Sequence, residues 1–499
     1  MSAYARIMVS KDSSDELYGK ENELLSVAGP RISYAADAML VALANSGYGA
    51  RLEEEYFSEG FCEEYREPEY TEKIIALMEE EAALVSEYTS ISTKNTEITY
   101  GGITASFEET VERLQASYPE GSEALTSAVS ACKLLLEEAI SEKSSRIFVD
   151  LLKIRQRIAG EYGYSSYAEY ASRSYQRDYG NEELNELIEG ISEYAVPVYA
   201  DLSTALSAYM RNTEPPELTT VRLLNGGYRA IGNIDPELAE IYANMLGRGC
   251  YDVKEGGLNR TEGAFTTYLY DYEAPYLFMT AEGTVSDYLT LSHEFGHFID
   301  FFLNGSANAS LEMLEISSQG LELLTLYALK SELNSDEYKY LLYSEMYGVL
   351  MTLISQSFYA TFEHLAYALP EEEITAVALD RTVIQAAEKC RLNTAYFNEL
   401  SKVLVAHMIT APFYLQAYIP SLLVSLEIYF KEAECEGDGK DTYLALLTRD
   451  GGTAMTERLD ELGLSSPFEK KTVMELCDMI YYSIYGIHYY RENGGENAA

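Results

Sequence analysis

Histidine is scarce in this sequence, with five residues among 499, and tryptophan is absent. The six cysteines form no CxxC pair and no evident disulfide framework, so free thiols are expected and a cysteine-based metal site is not. The chain has only 12 prolines, which leaves room for long helices, and no run of about 18 apolar residues offers a membrane-spanning segment. These absences favour a helical globular protein over a disulfide-stapled or membrane-spanning one.

Positively charged residues are few as well. Lysine and arginine number 36 against 81 aspartates and glutamates, which gives a formal net charge of -45 and a pI of about 4.4. Contact with phosphates needs clustered lysine and arginine, so this composition argues strongly against nucleic acid as a partner. The acidic excess indicates either simple solubility or an electric field that attracts positively charged peptides.

The first 19 residues carry no apolar core long enough for a signal peptide. A cytoplasmic location is therefore expected, unless a leader had been removed from a longer protein. No membrane contact is predicted, and the sequence does not indicate an oligomeric state.

The apolar residues mainly follow a helical period, and the expected fold class is mainly α. Long stretches with helical spacing run through 122–158, 181–210, 336–369 and 374–404. Strand-like composition is confined to 217–230 and 264–280. We divide the chain into an N-terminal helical region at 1–144, a domain at 145–490 that contains the motif described next, and a disordered tail at 491–499.

Two of the five histidines lie in one short motif, HEFGH, which contains His293, Glu294 and His297. On a helix, positions i and i+4 share a face, so the two imidazoles can bind one metal ion while the glutamate reaches a water molecule beside it. In a chain with so few histidines, this pattern rarely arises by chance. The motif therefore predicts a zinc hydrolase with Glu294 as general base, and the alternative is an amphipathic helix with two hydrogen-bonded histidines.

Two histidines and a water leave a tetrahedral zinc ion one protein ligand short. A third histidine six positions after the motif is excluded because that position is Leu303. The helix-competent run that follows contains Glu315, our predicted third ligand, and Glu322, which could orient a ligand. Glu312 and Asp300 are rival candidates. With 81 acidic residues in the chain, the alternative for any one glutamate, including Glu315, is a solvated surface group.

These residues resemble the oligoendopeptidase F group of zinc oligopeptidases, within the thimet oligopeptidase-like superfamily. Members carry HExGH followed by E-I/A-x-S-x-x-x-E, matched here by HEFGH and by EISSQGLE from Glu315 to Glu322, with a spacer a few residues shorter than usual. The similar segments together extend over about residues 145–490 and are 150–180, 248–265, 276–297 and HMITAPFYLQAY from His407 to Tyr418.

The resemblance implies a two-lobed helical fold with a deep central channel and a small β-sheet beside the HExxH helix. It implies one Zn²⁺ per chain, and it places an extended peptide along an edge strand within Thr266–Thr280. It also implies that His407, together with Tyr414 or Tyr418, donates hydrogen bonds to the substrate carbonyl and to the oxyanion. The resemblance also implies a trimmed or divergent N-terminal lobe, because the chain is shorter than typical members of the group at that end, where residues 1–144 show no diagnostic pattern.

The expected function is zinc-dependent hydrolysis of internal bonds in short unstructured peptides. One alternative is a zinc carboxypeptidase of helical fold, which also combines HExxH with a later glutamate. Another is a catalytically silent peptide-binding relative, although Glu294 would then have no chemical use. The two histidines outside any motif, His364 and His488, are predicted to be structural.

Overall fold

The computed structural model describes residues 2–57, 59–91, 96–119, 121–257, 259–305, 309–448 and 454–490. The predicted tail at 491–499 lies outside these ranges. Within them the chain is mainly helical, and none of the described helices is both long and apolar enough to cross a bilayer.

The helices are α1 (Ser2–Lys11), α2 (Glu16–Ala44), α3 (Gly49–Glu55), α4 (Phe61–Glu64), α5 (Glu72–Thr89), α6 (Phe107–Ser117), α7 (Glu123–Glu161), α8 (Tyr167–Ser174), α9 (Asn181–Gly190), α10 (Val196–Asn212), α11 (Thr220–Ile234), α12 (Pro236–Arg248), α13 (Asp287–Asn304), α14 (Leu311–Ala328), α15 (Ser335–Tyr367), α16 (Ala376–Lys389), α17 (Leu400–Val403), α18 (Ala406–Thr410), α19 (Tyr418–Glu434), α20 (Asp438–Leu447), α21 (Met455–Glu461) and α22 (Lys470–Tyr485). The strands are β1 (Glu97–Tyr100), β2 (Ile103–Ser106), β3 (Tyr251–Glu255), β4 (Ala264–Leu269) and β5 (Ala274–Ala281).

The long helices predicted at 122–158, 181–210 and 336–369 are confirmed by α7, by α9 with α10, and by α15. A π-helical turn, Ile191–Ala195, joins α9 to α10. The prediction of one helical stretch through 374–404 is wrong in its second half. There α16 ends at Lys389, and Arg391 has a positive φ of 55°, which a continuing helix does not allow.

The strand predicted at 217–230 is also wrong, because Thr220–Ile234 forms α11 and only Glu217 makes an isolated β-bridge, to Thr284. Thr219, whose type favours strands, is the N-cap here, and its hydroxyl accepts a hydrogen bond from the Arg222 backbone N–H. Leu223 and Ala230 lie buried on one helical face. Capping and a buried face at helical spacing therefore outweigh the strand propensity of the first residues.

The strands predicted at 264–280 are confirmed as β4 and β5. They belong to a three-stranded mixed sheet of order β3-β5-β4, in which β3 runs parallel and β4 antiparallel to β5. On one face of β4, Phe265 stacks on Phe278 at 5.1 Å, and the guanidinium of Arg6 lies 4.3 Å from the Phe265 ring centre. On the other face, Thr266 bonds to Glu294 of α13. The edge strand β4 therefore lies between α1 and the helix that carries the motif.

The glycine of HEFGH, Gly296, lies where the core helices α13 and α14 approach each other closely. A Cβ atom at Gly296 would lie 2.4 Å from the Ser317 carbonyl oxygen and 2.5 Å from the Ser318 Cα, both in α14. Such distances are far inside van der Waals contact, so only glycine fits here. The close approach brings the Glu315 end of α14 next to the histidines of α13.

We expect Gly296→Ala to lower the free energy of unfolding by about 3 kcal/mol, because backbone atoms cannot yield to the added methyl as a side chain could. The added methyl should also push α13 away from α14, which would move Glu315 away from the two histidines and weaken metal binding. Thermal or denaturant unfolding, together with a metal titration, measures both effects. Gly160→Ala in α7 is the matched control, since a Cβ there meets nothing within 4 Å. A destabilisation no larger than that of the control would contradict the packing explanation.

Two separate apolar cores meet along α7. A small core contains Ile98, Leu114 and Leu136, from β1, α6 and the first half of α7. The large core begins on α7 at Ile147 and continues through α13, α14, α15 and α19. The division we predicted at residue 144 lies between these two sets of α7 residues, inside one continuous helix. That division stays a prediction, as does the arrangement in two lobes.

Candidate metal centre

The motif lies in α13, as its apolar flanks indicate, and its two histidines share a face of that helix. The ring centres of His293 and His297 are 5.1 Å apart, and the side chains are 21% and 16% exposed. The Nδ1 of His293 is 2.9 Å from the Oε2 of Glu322, which orients the ring and leaves its Nε2 for an ion. This contact matches the role predicted for Glu322.

Glu315 of α14 supplies the third donor. Its side chain is fully buried, and its Oε2 lies 3.7 Å from the Nε2 of His293 and 3.9 Å from the Nε2 of His297. A tetrahedral zinc ion with bonds of about 2.0–2.2 Å would separate its ligand atoms by about 3.3–3.6 Å, which is close to both of these carboxylate-to-imidazole distances. In the part of the chain that the structure describes, these three residues form the one such group that could hold a metal.

The two rival carboxylates have other partners. Glu312 accepts hydrogen bonds from the Nε of Arg177 at 2.6 Å and from the Tyr179 hydroxyl at 2.8 Å. Asp300 accepts one from the Ser317 hydroxyl at 2.7 Å. Neither belongs to the group around the histidines. The geometry favours Glu315, and its role as ligand stays a proposal.

The pKa values of the two histidines are shifted in opposite directions by different neighbours. Burial lowers the pKa of His293, but the hydrogen bond and charge of Glu322 outweigh it and raise the value to about 9. Burial and the charge on His293 lower the pKa of His297 to about 3. A metal ligand must be a neutral imidazole, so an ion that binds here displaces the proton of His293. The acidic surroundings that hold this proton would equally favour a divalent cation.

Glu294 follows His293 directly in α13 and interacts electrostatically with His293 and Glu315. Its carboxylate is 8% exposed, and its Oε2 accepts a hydrogen bond of 2.9 Å from the Thr266 hydroxyl of β4. Burial raises the pKa of Glu294 to about 7, although the charge of His293 and the bond from Thr266 oppose the shift. A carboxyl group with a pKa near neutrality can both accept and return a proton.

The segment from His407 to Tyr418 brings three further side chains to the centre. It runs from α18 through a turn at Pro412 into α19, so a loop that enters a helix is correct and one continuous helix is not. The Tyr414 ring lies 5.5 Å from that of His407 and 5.6 Å from that of Tyr418. The Tyr414 hydroxyl donates a 2.5 Å hydrogen bond to the Oε1 of Glu315. Burial lowers the pKa of His407, which keeps the imidazole neutral.

Two buried arginines hold this loop in place, and neither was predicted from the sequence. Arg155, 1% exposed, donates to the Met408 carbonyl at 3.0 Å. Arg177 donates to the Phe413 carbonyl at 2.7 Å. The Phe413 N–H, whose residue has a positive φ of 63°, donates to the Glu363 carboxylate at 2.9 Å. These partners stabilise a strained turn between His407 and Tyr414.

The other two histidines lie apart from the three metal-binding candidates. The Nε2 of His364 is 3.0 Å from the Oε1 of Gln416, and the Nδ1 of His488 is 2.6 Å from the Oδ2 of Asp478. Both contacts agree with the predicted structural role.

Two helix-borne histidines, a carboxylate from the neighbouring helix and a buried glutamate in the same motif define a metallopeptidase-type centre. Residues 244–477 match the family model for Peptidase family M3. This match, over slightly less than half of the chain, supports the resemblance to the oligoendopeptidase F group.

Two relatives match parts of the chain. An oligoendopeptidase F homolog from Borreliella burgdorferi is 24% identical over 251 residues, which are 48% of this chain and 42% of the relative. The oligopeptidase PepF of Bacillus subtilis is 30% identical over 146 residues, 27% of this chain and 22% of PepF. The matched segments thus span less than half the length of these relatives.

The fold as a whole has a solved counterpart. A structure of PZ peptidase A with an inhibitor matches with a TM-score of 0.76 at 20% identity, over 98% of this chain and 90% of that chain. At this identity the likeness concerns the fold alone. It confirms the predicted mainly helical class with a small sheet beside the HExxH helix.

Proposed function

We propose that this protein is a zinc-dependent oligoendopeptidase that hydrolyses internal bonds of short unstructured peptides. The observation that carries the proposal is the convergence of the donor atoms of His293, His297 and Glu315 within 4.8 Å, next to the buried carboxylate of Glu294. The setting we propose is peptide turnover in the cytoplasm.

Glu294 is the general base of the proposed reaction. Zinc, when bound, polarises the scissile carbonyl and favours attack by water. The Glu294 carboxylate accepts a proton from the attacking water and then returns it to the leaving amine. The hydroxyl of Thr266 fixes the direction of the carboxylate, since it donates to Oε2 at 2.9 Å.

The oxyanion formed by the attack needs hydrogen-bond donors, and His407 and Tyr418 are the proposed pair. Both line one cavity with His293. Tyr414 is the weaker candidate, because its hydroxyl already donates to Glu315. We therefore assign Tyr414 to positioning the third metal ligand and Tyr418 to the oxyanion.

The main chain of the substrate has a proposed partner in β4. This strand pairs with β5 on one side and has no strand on its other side in the described part of the chain. Its Thr266 touches Glu294, so a peptide added along the free edge would run past the general base. Main-chain pairing of this kind is tolerant of sequence, as a peptidase of broad use requires.

We expect His407→Ala to lower kcat by about 10²–10³, because one donor to the oxyanion is lost. Zinc content should not change, since His407 is outside the ligand set. Steady-state kinetics on a quenched fluorescent peptide, with metal analysis of the same sample, measures both. His488→Ala, which removes a histidine bound to Asp478, is the control and should retain normal kcat. A His407→Ala protein as active as this control would remove His407 from the mechanism.

The position of the cut bond tests the endopeptidase proposal against the zinc carboxypeptidase alternative. We expect peptides with an amidated C-terminus to be cut internally, and the cutting to stop when zinc is chelated. Removal of single residues from free C-termini alone would support the carboxypeptidase. Mass spectra of the products distinguish the two patterns directly.

A further inference from the structure

A cavity of about 480 Å³ adjoins the metal centre on the side of His293 and His407. Its wall is formed by residues of five helices, α13, α14, α15, α18 and α19, and by the turn before α19. The cavity is large enough for one long amino-acid side chain beside the reacting groups.

One face of α15 forms much of this wall. Glu345, Thr352, Gln356 and Tyr359 recur at helical spacing along the cavity. Between them lies Gly348, where an added Cβ would meet no atom within 4 Å. The missing side chain keeps the cavity open at the level of Glu345.

The polar groups of the cavity include hydrogen-bond acceptors that lack donors. The Oε1 atoms of Gln319 and Gln356 are buried and have no hydrogen-bond partner among the described residues. Gln319 is only 4% exposed. In the same part of the chain, no side chain donates a hydrogen bond to Glu345, and no lysine or arginine lines the cavity. Buried acceptors without donors destabilise the folded protein, so the donors to the two glutamine oxygens are expected to come from a ligand.

Apart from the histidines, the charged side chains that line the cavity are all acidic. Its two carboxylates, Glu322 and Glu345, line the same cavity and repel each other. Glu322 is already engaged by His293, whereas Glu345 has no such partner. A cation that enters the cavity would therefore relieve both the repulsion and the missing hydrogen bonds.

We propose that this cavity binds a lysine or arginine side chain of the peptide substrate. Glu345 pairs with the positive charge, the carbonyl oxygens of Gln319 and Gln356 accept its N–H groups, and Val349, Leu415 and Leu422 contact its methylene stem. Because the cavity adjoins His293 and His407, the bound residue flanks the scissile bond. This inference rests on the proposed function and names the substrate class of the same site.

The test compares peptides blocked at both ends that differ in one residue, which is lysine, the uncharged norleucine or glutamate. The residue is placed on either side of the cut bond. We expect the lysine peptide to have a kcat/KM at least about tenfold above that of the norleucine peptide, as loss of a charged hydrogen bond implies. Glu345→Gln should abolish most of this preference. Glu388→Gln, which removes an exposed charge on α16, should keep it.

A second readout separates recognition from a structural role. Since Glu345 is an unpaired carboxylate, its replacement by glutamine should leave Tm unchanged or raise it. A lower Tm for Glu345→Gln than for Glu388→Gln, or equal rates for lysine and norleucine peptides, would overturn the inference. So would a preference that survives in Glu345→Gln.

Binding measured by calorimetry keeps the inference testable if nothing is cut. The Glu294→Gln protein would be titrated with the lysine and norleucine peptides. Absence of any cleavage by the wild-type protein counts against the proposed function. Binding at least about tenfold tighter for lysine still supports the cavity assignment, and equal binding overturns it.

Discussion

Replacing Glu294 by glutamine is expected to lower kcat by about 10²–10⁴ or more, because glutamine cannot accept a proton from the attacking water. The substitution keeps the size of the side chain and the oxygen that Thr266 contacts at 2.9 Å. Zinc binding should therefore persist, since Glu294 is outside the proposed ligand set. Kinetics on a blocked peptide and metal analysis of the same preparation measure the two properties together.

The control for this variant is Glu388→Gln, with the same chemical change on an exposed helix face. Its turnover should equal that of the wild-type protein. Near-normal turnover of Glu294→Gln would contradict the mechanism, whatever the metal content. A loss of zinc together with activity would instead indicate that Glu294 supports the metal, and would also contradict the role proposed here.

Glu315→Gln is expected to weaken zinc binding by more than about a hundredfold, which is the upper range for loss of an outer partner of a metal site. The amide keeps the shape of the side chain and can still accept the hydrogen bond from Tyr414. What it loses is the negative charge that lies 3.7 and 3.9 Å from the two histidine nitrogens. Competition with a chromogenic chelator measures the affinity.

Glu322→Gln provides the graded comparison. Glu322 contacts the Nδ1 of His293 at 2.9 Å and does not contact the proposed ion. We therefore expect its replacement to lower zinc affinity by about 10–100-fold. An affinity for zinc in Glu315→Gln equal to that of the wild-type protein would contradict the ligand assignment. A larger loss in Glu322→Gln than in Glu315→Gln would exchange the roles of the two glutamates.

The metal-binding motif could be predicted from sequence because its geometry is local. His293 and His297 share a helical face whatever the rest of the chain does, and the apolar flanks are enough to predict the helix. Glu315 is different, since its distance from the histidines depends on how closely α14 approaches α13. That approach requires Gly296, whose missing side chain can be seen in the sequence but whose neighbours cannot.

The residues that support the site could not be predicted from the sequence, for a similar reason. Arg155 and Arg177 lie far from the His407 segment in sequence, and each is one arginine among many until the fold brings it to a loop carbonyl. The short strand β3 was missed because five residues with mixed polarity give no clear period. In α11 the first residues favour a strand and the later spacing favours a helix, and burial decided between them.

The cavity beside the metal centre could not be predicted from the sequence either. Glu345 and Gln356 share a face of α15, which the helical period indicates, but their meeting with Gln319 of α14 is a tertiary contact. In a chain with 81 acidic residues, one glutamate on a helix face predicts solvent exposure. Only the fold distinguishes this one as an acceptor without a donor.

The most direct test of the central claim is mass spectrometry of a pool of short peptides, some blocked at both ends. The pool would be incubated with zinc-loaded protein, with chelated protein and with Glu294→Gln. We expect internal cuts in the blocked peptides from the zinc-loaded protein, and none from the other two samples. Zinc-loaded protein that leaves every peptide intact, or cuts that persist without zinc or without Glu294, would contradict a zinc-dependent endopeptidase.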